Sequence, residues 1–357
     1  MTDPTPPAVP APAAPLAADV PVSIVLCVLN EERHVASAIA DALDQDHAGQ
    51  LELVVALGPS TDRTDTIVAE LAAGDPRVRS VRNPSPTGAT PSGLNAAVAA
   101  SRFPVVVRVD GHAHLPRDYV RTAVETLSRT GADNVGGIMA AEGVTAFEKA
   151  VAAAMTSPFG VGGASFHTGG EEGPADTVYL GAFRRSALER VGGYDDHFLR
   201  AQDWEMNLRI RRTGGLVWFQ PAMRVSYRPR RTLAALARQY RHYGRWRRVV
   251  MRTHPGTANL RYLTPPAVVI AVAGGAVAGL FWWPALVLPA GYLAGVLGAS
   301  VLVGRGLSWR SRAAVPGVLV TMHLSWGWGF LTSPRRLARG AADRSVPAAQ
   351  TAPSTQP

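Results

Sequence analysis

Two short polar clusters sit where an apolar element ends or a helix opens, the places from which side chains reach a cleft. The first is Asp110-Gly-His112, directly after Pro104-Val-Val-Val-Arg-Val109. A carboxylate and an imidazole two residues apart, just past a buried strand, offer one oxygen and one nitrogen to a divalent cation. Such a cation would neutralise a diphosphate leaving group. The plain alternative is an aspartate capping the next turn beside a solvated histidine. His114 lies farther from the strand end and reads as a bystander. The second cluster is Gln202-Asp-Trp-Glu205, ahead of helix-like residues 206–212. A carboxylate opening a helix is most simply an N-cap. As chemistry, Asp203 can accept the proton of a hydroxyl that attacks an anomeric carbon. Glu205 either orients an acceptor or pairs with an arginine. Paired carboxylates also serve glycoside hydrolysis, so the pair alone leaves the reaction open.

Glycine marks two further segments. Gly192-Gly-Tyr-Asp195 allows backbone to approach a ligand closely. Residues 160–170 hold five glycines with Ser165, His167 and Thr168, and read as a mobile loop over the cleft or a plain surface loop.

The elements that position these residues alternate. Val22-Ser-Ile-Val-Leu-Cys-Val-Leu29 is a continuous apolar run of the kind buried on both faces of a parallel sheet. Residues 31–43 carry Val35, Ala38, Ile39 and Ala42 at helical spacing. Strands at 51–57, 78–81 and 104–109 and helices at 64–73 and 93–100 follow, a βα alternation that argues for an α/β domain with a mainly parallel sheet. Ligands bind beyond the carboxyl ends of such strands. Asn30, Gly58 and Asp110 stand at those ends and are expected to converge on one cleft.

The chain has 357 residues, a net charge of +9 and a pI near 10.4. That excess points to nucleic acid, an anionic membrane surface or a phosphorylated ligand. Much of it lies at 224–261, just before residues 265–304, which contain no charged side chain over twice the length that crosses a bilayer. The membrane reading therefore displaces a nucleic-acid arm. Cys27, the single cysteine, excludes an intramolecular disulfide and a multi-cysteine zinc site. Residues 1–19, rich in Pro and Ala, read as a disordered leader without the basic start or apolar core of a signal peptide. Residues 335–357 read as a disordered basic tail. Between them lie a catalytic domain at 20–230, a basic amphipathic interfacial helix within 231–262 and a transmembrane region at 263–334. Two spans are expected at 266–283 and 286–304, joined by an interfacial turn at Phe281-Trp-Trp-Pro284. Residues 313–332 form a third segment. Arginines on both sides of it favour the cytoplasm, so a re-entrant or interfacial course suits it better than a full span.

Taken in order, these segments resemble the family 2 glycosyltransferases of the GT-A fold, above all the succinoglycan type of exopolysaccharide glucosyltransferase. The resemblance covers about residues 21–260. Residues 22–32 are similar to the family's opening strand, Asn83-Pro-Ser-Pro-Thr-Gly88 through Gly93-Leu-Asn95 to the segment before its metal strand, and Arg108-Val-Asp-Gly-His112 to its Asp-x-Asp motif with His as second ligand. Asp176-Thr-Val-Tyr-Leu-Gly181 and Gly192-Gly-Tyr-Asp195 resemble its acceptor-side segments. Gln202-Asp203 stands where the family has Glu-Asp, and His242-Tyr-Gly-Arg-Trp246 where it has Gln-x-x-Arg-Trp.

The resemblance implies a divalent metal, Mg or Mn, on Asp110 and His112, with Asp203 as catalytic base. It implies donor contacts from Asn30, Glu31, Asp62, Asn95, Arg245 and Trp246. The family's base-contacting aspartate after the second strand is missing from Ala56-Leu-Gly-Pro-Ser-Thr-Asp62, which leaves the nucleotide base open; His242 in place of Gln argues against processive synthesis. The expected partners are a nucleotide sugar, a lipid-linked acceptor, the bilayer and other polysaccharide-assembly proteins, with the catalytic domain on the cytoplasmic face of a multi-pass plasma-membrane protein. Two alternatives stand beside this reading: a polyprenyl-phosphate sugar synthase, and a non-catalytic nucleotide-sugar sensor or scaffold.

Overall fold

A computed structural model describes residues 13–338, so most of the expected leader and all but four residues of the expected tail lie outside it. Residues 13–19 are ordered, contrary to the leader expected there. The Leu16 backbone exchanges two 2.9 Å hydrogen bonds with Ser128 Oγ, and Arg184 Nη1 donates to Ala14 O at 2.9 Å. Composition alone does not register such tertiary anchors. Arg335–Ala338, placed in the tail from sequence, form a 3-10 turn.

The elements run β1 (Val22–Val28), α1 (Val35–Leu43), β2 (Leu51–Leu57), α2 (Thr64–Gly74), β3 (Val78–Arg82), α3 (Thr90–Ala100), β4 (Val105–Asp110), α4 (Tyr119–Thr130) and β5 (Asn134–Ala141). Then come α5 (Ala146–Met155), α6 (Pro158–Val161), α7 (Ser165–Thr168), β6 (Gly173–Pro174), β7 (Tyr179–Arg184), α8 (Arg185–Val191), α9 (Gln202–Arg212) and β8 (Val217–Tyr227). Four long helices close the described chain: α10 (Leu233–Thr253), α11 (Leu260–Ala278), α12 (Val287–Val303) and α13 (Trp309–Leu331). The strands form one sheet in the order β3-β2-β1-β4-β7-β5-β8-β6. β3, β2, β1 and β4 are parallel, as the continuous apolar runs require; β7 pairs antiparallel with both β4 and β5, making the sheet mixed. This is an α/β sheet of the GT-A kind, mostly parallel, followed by apolar helices.

The described residues divide into two units, 13–137 with 172–223, and 138–171 with 224–338. The sequence reading took 20–230 as one continuous domain. Residues 138–171 go instead with the C-terminal helices, because α5 buries Ala150, Val151, Ala154 and Met155 and packs on α13.

In the first unit, the core is built from β1, β2 and β4, whose Ile24, Leu26, Leu53, Val55, Val107 and Val109 are fully enclosed. In the second, α10 lies along α13 at backbone contact: a Cβ on Gly244 would sit 1.9 Å from Trp326 O, and one on Gly329 2.1 Å from Arg241 O. The apolar face of α10, including Leu236, Tyr240 and Val249, is thus covered by protein. Among the described residues, two helices are long and apolar enough to cross a membrane, Leu260–Ala278 and Trp283–Val303, and most of their surface is exposed. The first begins six residues earlier than expected, because Pro265 and Pro266 are carried inside the helix instead of opening it. The third segment is a single unbroken helix of 23 residues. It packs against α5, α10, α11 and α12. Trp282 and Trp283 stand exposed at the turn between α11 and α12.

Candidate active site

The carboxyl ends of β1, β2 and β4 lie side by side in the first unit. Cys27 pairs with Asp110 across β1–β4, and Val28 with Leu57 across β1–β2. Gly58 N–H donates to Val28 O at 2.9 Å, and Thr61 N–H to Asn30 Oδ1 at 2.8 Å. The expected convergence of Asn30, Gly58 and Asp110 is therefore present. Gly111 separates the two proposed metal ligands because nothing larger fits: a Cβ there would meet Val28 Cγ1 at 2.7 Å. Burial pushes the Cys27 thiol up to about 11, which keeps it protonated at neutral pH.

Arg108 organises the site. It sits on β4 with its side chain 6% exposed, and its guanidinium donates to Asp203 Oδ1 with one nitrogen and to Asp110 Oδ1, at 2.9 Å, with another. Two carboxylates 93 residues apart in sequence are thereby held on one cation. Burial alone would draw the Arg108 pKa down; the Asp203 and Asp110 charges overcome it and hold it well above the usual arginine value. Enclosure raises the Asp203 carboxyl above its usual range, and Arg108 opposes that rise. The Tyr194 ring closes the far side, its centroid 6.0 Å from Arg108 Cζ. An arginine inside a valine strand was visible in the sequence, and a buried charge demands partners. Sequence reasoning passed over it as part of the strand, and so missed the residue that joins the two clusters.

Asp203 is not the N-cap of α9. That position is Ala201, at φ 62°, and Asp203 lies in the first helical turn with its carboxylate on Arg108. Asn30, at φ 56°, is a second non-glycine residue in left-handed backbone. Such conformations cost about 1–3 kcal/mol and collect where a turn must present a functional group. Here they present Glu31 and Asp203. Glu31 Oε1 accepts a 3.0 Å hydrogen bond from His112 Nδ1, so the loop after β1 and the loop after β4 touch. Asp62 braces that loop: Thr64 N–H and Oγ1 donate to its Oδ1 at 3.0 and 2.6 Å, and Glu32 N–H to its Oδ2 at 3.1 Å. Asn95 clamps the glycine turn, with Tyr194 N–H donating to its Oδ1 at 2.9 Å and its Nδ2 donating to Tyr194 O at 2.8 Å.

Glu205 takes the structural option of the two open in the sequence. It is fully buried and forms a two-point ion pair with buried Arg209, both contacts at 2.7 Å. His114 Nδ1 lies 3.0 Å from Asp41 Oδ2 on the surface. Residues 160–170 are not a plain loop; they include α6 and α7 and belong to the second unit. Arg245 and Trp246 are in that unit too, on α10, with Trp246 buried and Ser333 Oγ donating to Arg245 O at 3.0 Å.

Among the described residues no three His, Cys, Asp or Glu side chains are grouped to hold a metal. Asp110 and His112 offer one carboxylate and one imidazole; the carboxylate suits Mg or Mn, and a diphosphate would have to supply most of the remaining oxygens.

The family model described as glycosyl transferase family 2 matches residues 23–192. The chain is 33% identical over 311 residues to the succinoglycan biosynthesis protein ExoA of Rhizobium meliloti (strain 1021), covering 86% of this chain and 93% of that protein. It is 22% identical over 251 residues to a dolichyl N-acetyl-alpha-D-glucosaminyl phosphate 3-beta-D-2,3-diacetamido-2,3-dideoxy-beta-D-glucuronosyltransferase of Methanococcus voltae, covering 68% and 77%. Among solved structures it is similar to the mannosyltransferase PcManGT of Pyrobaculum calidifontis, in complex with GDP-Man and Mn2+, with a TM-score of 0.58, 21% identity and 91% of each chain covered. That last likeness is one of fold.

Proposed function

The chain belongs to the family 2 glycosyltransferases, and from that premise we propose an inverting, metal-dependent transfer of a sugar from a nucleotide-sugar donor to a lipid-linked saccharide. The observation that carries the reading is Arg108 joined to both Asp110 and Asp203, which holds the two carboxylates on one guanidinium. Asp110 and His112 would hold a divalent cation, which when bound supplies positive charge to the departing diphosphate. Asn30 and Glu31 line the nucleoside side. Asp203 takes the proton of the acceptor hydroxyl as its oxygen bonds to the anomeric carbon. The carbon–phosphate oxygen bond breaks, the nucleoside diphosphate leaves with the electron pair, and the anomeric configuration inverts. A carboxyl raised by enclosure holds that proton more firmly than one in water. Arg108 keeps Asp203 ionised and aimed until the hydroxyl arrives.

The relatives support the rest of the proposal. One carries the name of a succinoglycan biosynthesis protein, and another acts on a dolichyl phosphate-linked sugar. The exposed apolar helices α11 and α12 would hold the enzyme at the membrane from which such acceptors extend, with the arginine-rich segments and the nucleotide-sugar site cytoplasmic.

The test is nucleotide release by the detergent-purified chain across a panel of nucleotide sugars, with Mn or Mg and a membrane lipid extract. Metal-dependent release with one donor, lost in Asp203→Asn and in Asp110→Asn, is the expected result. A product that keeps the donor's anomeric configuration overturns the mechanism. Donor binding without turnover in any extract favours a sensor, and turnover with bare polyprenyl phosphate favours the synthase.

A further inference from the structure

In the second unit, cations gather around one tyrosine at the start of α11. Tyr262 is 8% exposed; Arg247 of α10 places its guanidinium 4.0 Å from the ring centroid and Arg261 its own 4.9 Å away. Arg261 Nη2 also donates to Tyr262 Oη at 2.9 Å. The ring face attracts each cation, and the two cations repel one another. Arg261 forms no ion pair among the described residues. The surrounding sequence offers it little: residues 206–342 contain no Asp or Glu, and residues 138–171 with 224–339 carry eighteen Lys and Arg against three Glu.

The glycine-rich segment of the same unit meets this cluster. Gly162, at φ 69°, lets the Arg261 stem pass where a Cβ would lie 2.6 Å from Cδ, so the backbone angle and the contact both require glycine. His167, from the same segment, has its Nδ1 sealed from solvent without a hydrogen-bond partner. Burial, then the Arg261 charge, lowers its pKa to about 4, so the ring is neutral and has one N–H to donate. Gly163, Gly169 and Gly170 have open space beside them.

We propose that Arg261, Arg247 and His167 form a binding site for the phosphate of the lipid-linked acceptor. Guanidinium forks match phosphate oxygens, and the orphaned His167 nitrogen gains a partner. Arg261 stands in the first turn of a helix long enough to span the bilayer, the level at which a lipid's phosphate meets its chain. The proposal rests on transfer to a lipid-linked acceptor. Bulk anionic phospholipid offers the same phosphate chemistry, and the test separates the two.

The full chain in dodecyl maltoside is titrated with radiolabelled undecaprenyl phosphate, with undecaprenol as neutral control and phosphatidylglycerol as competitor. Arg261→Gln is expected to weaken binding about tenfold or more, the worth of a charged hydrogen bond, and Arg261→Lys to recover part of it. His167→Ala should weaken it several-fold, while Arg310→Gln, an exposed arginine of the same unit, leaves it unchanged. If Arg261→Gln misfolds by melting curve, the several-fold loss expected of His167→Ala carries the test. Undiminished binding by these variants overturns the site, as does equal binding of undecaprenol. Displacement by equimolar phosphatidylglycerol assigns the site to bulk lipid and overturns the acceptor assignment. Wild-type binding without turnover of any sugar donor leaves the site standing and removes the transferase reading. Turnover by Arg261→Gln with an unchanged acceptor KM removes the site alone.

Discussion

Arg108 is the residue on which the two halves of the chemistry depend. Its removal leaves Asp110 and Asp203 as neighbouring like charges, each with a lost partner. Arg108→Gln is expected to lower kcat by about a hundredfold, the scale of one misplaced general base, while Arg108→Lys retains an intermediate rate. The pH profile carries a sign. Enclosure raises the Asp203 pKa and Arg108 opposes it, so loss of the guanidinium moves the acid limb of kcat/KM to higher pH. A limb that stays in place or moves down contradicts this account. Glu205 behaves differently. Glu205→Gln strips the buried Arg209 of its counter-charge, and a loss of about 3–5 kcal/mol is expected from denaturant unfolding. Whatever protein remains folded should keep its kcat, because Glu205 never meets the acceptor.

At the level of elements, α5 and α10 carry the tests. α5 opens with a capping box: Glu148 N–H donates to Thr145 Oγ1 at 3.2 Å, and Thr145 N–H to Glu148 Oε2 at 2.8 Å. The Thr145 N–H, then Val144 N–H and Arg228, hold the Glu148 carboxyl below its ordinary value near 4.5. A depressed carboxylate stabilises the fold above the unfolded pKa, and that contribution is lost as pH falls through the folded one. Melting temperature should therefore drop below about pH 4.5, and Glu148→Gln should flatten that part of the drop while lowering stability at neutral pH. Thr145→Ala should cost about 1 kcal/mol. On α10, Gly244→Ala puts a methyl within 1.9 Å of Trp326 O and forces the helix pair apart. The expected sign is a melting temperature several degrees lower; an unchanged one would mean that α10 and α13 do not touch. The amphipathic pattern of α10 was plain in the sequence, but not what covers it. A helix face of Leu, Tyr and Val suits lipid or protein equally, and only α13, some 70 residues later, resolves the choice.

Across the whole chain, charge and apolar surface are unevenly shared. Residues 138–171 with 224–339 hold a net +15, and the rest of the sequence a net −6. An anionic membrane surface attracts the first of these, but that attraction is screened within about 3 Å in 1 M salt. The exposed apolar helices α11 and α12 are not so screened. The protein is expected to stay with vesicles through 1 M salt and alkaline carbonate; release by salt alone would mean that charge, not spanning helices, holds it.

Several features were determined by local sequence. Apolar runs at 22–28, 51–57 and 105–109 suit strands buried on both faces, and the parallel pairing of β1 with β2 and β4 then brings Asn30, Gly58 and Asp110 to one edge. The uncharged stretch after residue 264 likewise carries its membrane-spanning length in its composition. The tertiary structure decided what depends on distant partners. Asp203 meets Asp110 only through Arg108, from another element 95 residues away; Glu205 is withdrawn into a buried pair; and residues 138–171 join helices that follow them by more than 60 residues. Periodicity reports which face of an element is apolar. It does not report which distant surface will cover that face, because that choice is made by packing among elements and not within them.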